Sequence, residues 1–169
     1  SYRRALARLG RSVDRTQWWI APQAAGAILV FQQNAYDFTA ALMQAPKYDP
    51  TASDAASYGA IGALIGHDAS HFVDVLGAEY DLEGRERRWW TAEDSARFPA
   101  LAEPLVRQFS GYQPFPDLAI NGKLTETENI ADLAGLSAAF DAYRRTLGTR
   151  AADTDYVREQ DSVFFLGFA

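Results

Sequence analysis

The chain of 169 residues is 48% hydrophobic and 22% charged with a net charge of −6, which excludes a disordered or collagen-like chain and argues against a nucleic-acid surface. It has no cysteine, so disulfide scaffolds, thiolate metal sites and cysteine nucleophiles are excluded, and any metal must sit on His, Asp or Glu. No uninterrupted apolar run reaches the roughly 18 residues of a membrane span, and the five arginines between Ser1 and Arg15 are foreign to a signal peptide.

From Ser1 to Asp14, Leu6, Leu9 and Val13 recur at helical spacing, with Arg3, Arg4, Arg8 and Arg11 available for a solvated face, which predicts a surface helix. After Trp18, Trp19 and the break at Pro22, two β-prone runs, Ala27 to Phe31 and Ala35 to Thr39, flank Gln32, Gln33 and Asn34; a small hairpin or a pair of edge strands is expected. A loop from Pro46 to Asp54 leads into Ala55 to about Val75, rich in Ala, Leu, Ile and Gly, which reads as a central, buried helix. Within it Gly59, Gly62 and Gly66 each cost about 1 kcal/mol relative to alanine, so each is expected where another backbone packs closely. Gly77 and Gly84 bracket a turn region, and Thr91 with Asp94 forms a capping box that opens a predicted helix over Ala92 to Phe109. Pro114, Pro116 and the Asn121-Gly122 turn then interrupt the chain. Ile130, Leu133, Leu136, Phe140 and Tyr143 define the clearest amphipathic helix, near Leu124 to Thr146, with Gly148 as its stop.

The tail from Tyr156 ends in Val163-Phe164-Phe165-Leu166-Gly167-Phe168-Ala169, too short to span a membrane and too apolar to lie in water. The Trp18-Trp19 and Trp89-Trp90 pairs read better as packing than as a carbohydrate or base-stacking platform. With no repeat and no long linker, residues 1–169 are read as one domain, mainly α with a small β element (α+β).

The only two histidines, His67 and His71, stand four apart, so a helix projects both imidazoles from one face, a spacing that suits one metal ion. Two packed core histidines are the competing reading. The segment His67-Asp68-Ala69-Ser70-His71 departs by one methylene from H-E-x-x-H, whose histidines hold zinc and whose Glu activates water. A third ligand is required, and Glu128 and Asp132, also four apart, could divide two tasks, one ligating and the other orienting a histidine. Taken alone, they would be ordinary acids near a helix start.

Together His67 to His71, Glu128 to Asp132, Asn121-Gly122-Lys123-Leu124 and Trp89-Trp90-Thr91 resemble the catalytic half of the neprilysin family of zinc metallopeptidases. Tyr58-Gly59-Ala60-Ile61-Gly62-Ala63, Asp74 and Asp141-Ala142-Tyr143 extend the match, which runs from about Trp19 to Ala169 in the family's order. The resemblance implies a zincin-like catalytic domain with one zinc ion on His67, His71 and Glu128, Asp132 behind a histidine, and Asp68 in the place of the general-base Glu. It also implies an edge strand that clamps substrate backbone, here Gly26-Ala27-Ile28 where the family has Asn-Ala-aromatic, so that Ala27 would contact peptide. By the same resemblance the chain stops before the family's C-terminal segment with its transition-state His and substrate-binding Arg, and lacks the large helical domain upstream. A cell-surface, periplasmic or secreted setting is implied as well.

Three functions are therefore weighed. The first is a zinc endopeptidase in which Asp68 deprotonates water for attack on a peptide carbonyl. The second is a catalytically impaired relative that keeps the metal and serves as a peptide-binding or regulatory module. The third is a structural subunit with metal-free histidines. The apolar tail adds a partner expectation: another polypeptide, a second copy or a continuation of the chain covering Val163 to Ala169.

Overall fold

The computed structural model describes residues 2–169. Helix α1 covers only Tyr2–Leu6, which shortens the helix expected from Ser1 to Asp14; Ser1 itself lies outside the described residues. Leu9 and Val13 remain 76% and 49% exposed, so no buried face offsets the cost of nucleating a longer helix. The hairpin forms as expected. Strand β1 (Ala27–Val30) pairs antiparallel with β2 (Ala35–Phe38) in the register Ala27 to Phe38 through Val30 to Ala35. A single turn of 3-10 helix at Phe31–Gln33 joins them and closes on Asn34 at φ 47°, a left-handed position that asparagine tolerates.

The central helix begins at Ser53, whose hydroxyl accepts the Ala56 N–H at 3.3 Å. It runs through α2 (Asp54–Ser57), a π-helical turn (Tyr58–Gly62) and α3 (Ala63–Ser70). It stops at Ser70, short of the expected Val75. The Asp74 carboxylate accepts the N–H groups of Leu76 and Gly77 at 2.7 and 3.0 Å and so stabilises a turn in place of another helical turn. Helix α4 (Ala92–Ser110) opens on the predicted box: Thr91 Oγ1 accepts from Asp94 N at 3.1 Å, and Asp94 Oδ2 accepts from Thr91 N at 2.9 Å. Helix α5 (Glu126–Thr146) ends before Gly148 at φ +54°, and α6 (Thr154–Phe168) is capped by Asp153.

Helix α5 packs along α3 and the π-helical turn, and α6 packs on α2 and the same turn while Phe164 and Phe165 reach Phe140 of α5. Ala55, Ala63, Ala139, Tyr143, Leu147, Val157 and Phe164 form the core, and Tyr143 stacks on Phe164 with ring centres 5.5 Å apart. Part of the apolar tail is thus covered from within. Phe164 is fully buried, whereas Phe165, Leu166 and Phe168 face outward.

The glycines of the central helix divide into two kinds. An added Cβ at Gly66 would lie 2.8 Å from the Gly135 carbonyl oxygen, and one at Gly135 would lie 2.3 Å from the His67 nitrogen, so α3 and α5 cross backbone to backbone. An added Cβ at Gly59 would likewise run into the Phe164 carbonyl. Gly62 differs from its expected role: its nearest neighbours are the Tyr58 side chain at 3.4 Å and the Ala139 Cβ at 3.7 Å, ordinary contact distances. A Gly135→Ala variant should therefore lose about 1–3 kcal/mol or more through overpacking. Gly62→Ala, at helical φ and ψ, should gain up to about 1 kcal/mol from helix propensity, both read by urea denaturation.

Candidate active site

The crossing of α3 and α5 places the acidic side chains of one helix against the histidines of the other. His67 Nδ1 meets Asp132 Oδ1 at 2.8 Å, and His71 Nδ1 meets Asp74 Oδ2 at 2.7 Å. A carboxylate can only accept, so each Nδ1 carries the proton and each Nε2 presents a lone pair. Those two Nε2 atoms are 3.2 Å apart, and Glu128 Oε2 stands 3.3 Å from the first and 3.7 Å from the second. Three lone pairs pointing at one another repel unless a cation lies between them.

The dimensions fit zinc. Ligand atoms about 2.0–2.2 Å from a tetrahedral zinc lie about 3.3–3.6 Å from one another, the scale of this triangle. No Lys or Arg pairs with Asp68, Asp74, Glu128 or Asp132 among the described residues, so nothing else neutralises the site. Its outer side is open: the histidine side chains are largely buried, while that of Glu128 is 66% exposed.

Asp68 is itself buried, and its Oδ2 has no hydrogen-bond partner. Burial pushes its carboxyl above the ordinary range, and Glu128 adds to this, while the His67 and His71 imidazoles pull the other way. Asp68 is thus a buried carboxylate with one unpartnered oxygen, one residue after His67. Ala27 stands on β1 and joins none of these contacts. Its hairpin is nonetheless anchored close by, since Phe31 and Tyr36 pack their rings on Phe72, the residue after His71, at 5.7 and 6.1 Å. No third strand pairs with β1 among the described residues, so the hairpin keeps a free edge.

Sequence reasoning noted Asp74 only as a flanking match and missed its contact with His71. Its position three residues after that histidine was the available signal. A cleft of about 700 Å³ between Phe31, Phe72, Tyr80 and Trp89 contains none of the converging ligand atoms. A smaller one of about 360 Å³ opens on His67 and Asp132, on the Nδ1 side of that histidine, without reaching His71 or Glu128.

Two histidines one helical turn apart, joined by a glutamate from a second helix, make a group that could hold a metal ion, in the arrangement of a zincin-type site. The sequence model of Peptidase family M13 matches residues 29–169, and the chain belongs to that family. It is 36% identical over 170 residues to Neprilysin-3 of Drosophila melanogaster, covering 97% of this chain and 21% of that protein. It is 33% identical over 168 residues to Endothelin-converting enzyme-like 1 of Homo sapiens, covering 98% and 22%. The solved zinc metalloprotease of Mycobacterium tuberculosis in complex with an inhibitor matches with a TM-score of 0.78 at 40% identity, over 88% of this chain and 23% of that one. The chain thus spans between a fifth and a quarter of the length of these relatives.

Removing a carboxylate behind a ligating histidine weakens metal sites about 10–100-fold. Asp74→Asn should lower zinc affinity by that factor, measured by competition with a chromophoric chelator, with the helical circular dichroism retained.

Proposed function

We propose that the chain forms the zinc-holding catalytic portion of an endopeptidase that cleaves peptide bonds with water. The observation that carries this reading is the convergence of His67 Nε2, His71 Nε2 and Glu128 Oε2 into a triangle of 3.2, 3.3 and 3.7 Å. In it one zinc ion is held by those three residues. Zinc bound there would polarise a substrate carbonyl and make water more acidic.

The remaining work falls to the chain's own side chains. Asp132 and Asp74 fix the tautomer and orientation of the two imidazoles through Nδ1. Asp68 accepts the proton of the attacking water on its unpartnered Oδ2 and returns it to the departing amine, so that one peptide bond and one water become a carboxyl and an amino group. Its side chain is one methylene shorter than a glutamate's, and misplacement on the order of 1 Å costs on the order of 100-fold in rate. The free edge of the hairpin at Ala27 offers backbone groups to an extended peptide, which pairs as an added strand.

The cell-surface, periplasmic or secreted setting suggested by the family resemblance belongs to the same proposal. So does a polypeptide partner over the outward face of α6, where Phe165, Leu166 and Phe168 lie open. No helix among the described residues is long and apolar enough to cross a membrane.

Metal binding and hydrolysis should separate by mutation. His71→Ala is expected to abolish both. Asp68→Ala should keep zinc, by elemental analysis of protein freed of excess metal, and lower cleavage of a quenched fluorescent peptide library by at least about 100-fold. Asp68→Glu should raise that cleavage above the parent. Loss of zinc in Asp68→Ala as complete as in His71→Ala would make Asp68 a ligand and overturn its assigned role.

A further inference from the structure

The turn that follows His71 is organised by one buried carboxylate. Asp74 Oδ2 meets His71 Nδ1 at 2.7 Å, while its Oδ1 accepts the N–H groups of Leu76 and Gly77. The aspartate therefore holds the imidazole only as firmly as residues 76 and 77 hold the aspartate. Gly77 is pressed against the histidine, since a Cβ added there would lie 2.3 Å from the His71 carbonyl oxygen. Its own carbonyl accepts two N–H groups, from Tyr80 at 3.0 Å and from the Trp89 indole at 3.1 Å. The Tyr80 bond lies within the same short turn and moves with it. The Trp89 bond comes from 12 residues further along the chain, beside the capping box that opens α4 at Thr91. The Trp89 backbone N–H adds a bond to the Ala78 carbonyl at 3.0 Å. Trp89 is 48% exposed, so water lies within reach of its one polar atom, yet that N–H is turned onto Gly77. Its neighbour Trp90 is set differently, with its ring 5.0 Å from that of Phe98 and under the Arg88 guanidinium.

We propose that Trp89 is a positioning residue for the zinc site proposed above: its indole N–H fixes Gly77, Gly77 fixes Asp74, and Asp74 aims the His71 Nε2 lone pair at the ion. The inference rests on the endopeptidase reading and adds to it a residue that touches neither metal nor substrate. The links stand in series, so a change at the indole reaches the imidazole only through Asp74. Orientation of a ligating imidazole by its hydrogen-bond partner sets metal affinity. A carboxylate that does this directly is worth about 10–100-fold, and a donor one step further out is expected to be worth less, about 3–10-fold.

The test reads zinc affinity by competition with a chromophoric chelator and needs no turnover. Trp89 replaced by benzothienylalanine keeps the double ring and exchanges only the N–H for sulfur. That protein should bind zinc about 3–10-fold more weakly than the parent, and Trp89→Phe at least as weakly. Trp90→Phe should bind as the parent does. The visible bands of the cobalt(II)-loaded protein, which report how the ligands are oriented, should shift with benzothienylalanine at 89 and stay in place in Trp90→Phe. In an Asp74→Asn background the carboxylate that orients His71 is gone, so either change at Trp89 should lower affinity by less than about 2-fold further. Equal losses in the parent and Asp74→Asn backgrounds would make Trp89 a general stabiliser of the turn and overturn its positioning role. Parental affinity and spectrum in the benzothienylalanine protein would overturn it as well, and in both cases the endopeptidase reading stands. A parent chain that binds no zinc would overturn both.

Discussion

Everything at the cluster of histidines and carboxylates depends on one close approach, that of Gly66 to Gly135. Helices packed through ordinary side chains keep their axes 8–10 Å apart, and longer side chains push them further. Here neither helix has a side chain at the crossing, and the His67 backbone nitrogen lies where a Cβ of Gly135 would be. That proximity lets a glutamate and an aspartate from α5 reach two imidazoles on α3, one by its Oε2 and the other behind the ring. The stability given up by glycine in two helices, about 1 kcal/mol each, is offset by the burial that follows along the same contact, where Ala63 and Ala139 continue the core.

The acidic surroundings of the histidines set the sign of the site. Four carboxylates and two proton-donating imidazoles, with no Lys or Arg pairing among the described residues, form a centre that is electrostatically incomplete by itself. Asp132 and Asp74 each spend an oxygen on an Nδ1, which turns both Nε2 lone pairs inward. Glu128 is left exposed and free to ligate, and Asp68 is left buried with an unused oxygen. The same residue type thus has different work according to burial and partner, and these differences follow from where each side chain leaves its helix.

Much of this was legible in the sequence because it is periodic. The four-residue spacings of His67 with His71 and of Glu128 with Asp132 fix helix faces, and the Thr91 and Asp94 box fixes a helix start. The glycines at 59 and 66 announced close packing through their cost, but cost could not separate them from Gly62, whose neighbours are ordinary side chains. Periodicity and composition also extended one helix each too far. Near the amino terminus the apolar spacing had no surface to pack on, and after Ser70 a side-chain carboxylate, Asp74, competed for the backbone N–H groups. The tail showed the opposite limit: composition revealed an apolar run, while only the fold could place Phe164 inside and Leu166 outside.

The π-helical turn at Tyr58–Gly62 has a consequence for how the central helix is phased. One wide turn holds an extra residue, and each residue advances an α-helix by about 100°, so the segments before and after it are out of step by about that angle. Ala56 before the turn and Gly59 at its start face α6, while Gly66 after it faces α5. A single continuous stripe could not address both partners in this way. The wide turn therefore acts as an angular offset between scaffold and chemistry. Deleting one residue from it would leave a regular helix with its outer half still docked, and His67 and His71 swung about a quarter-turn away from Glu128.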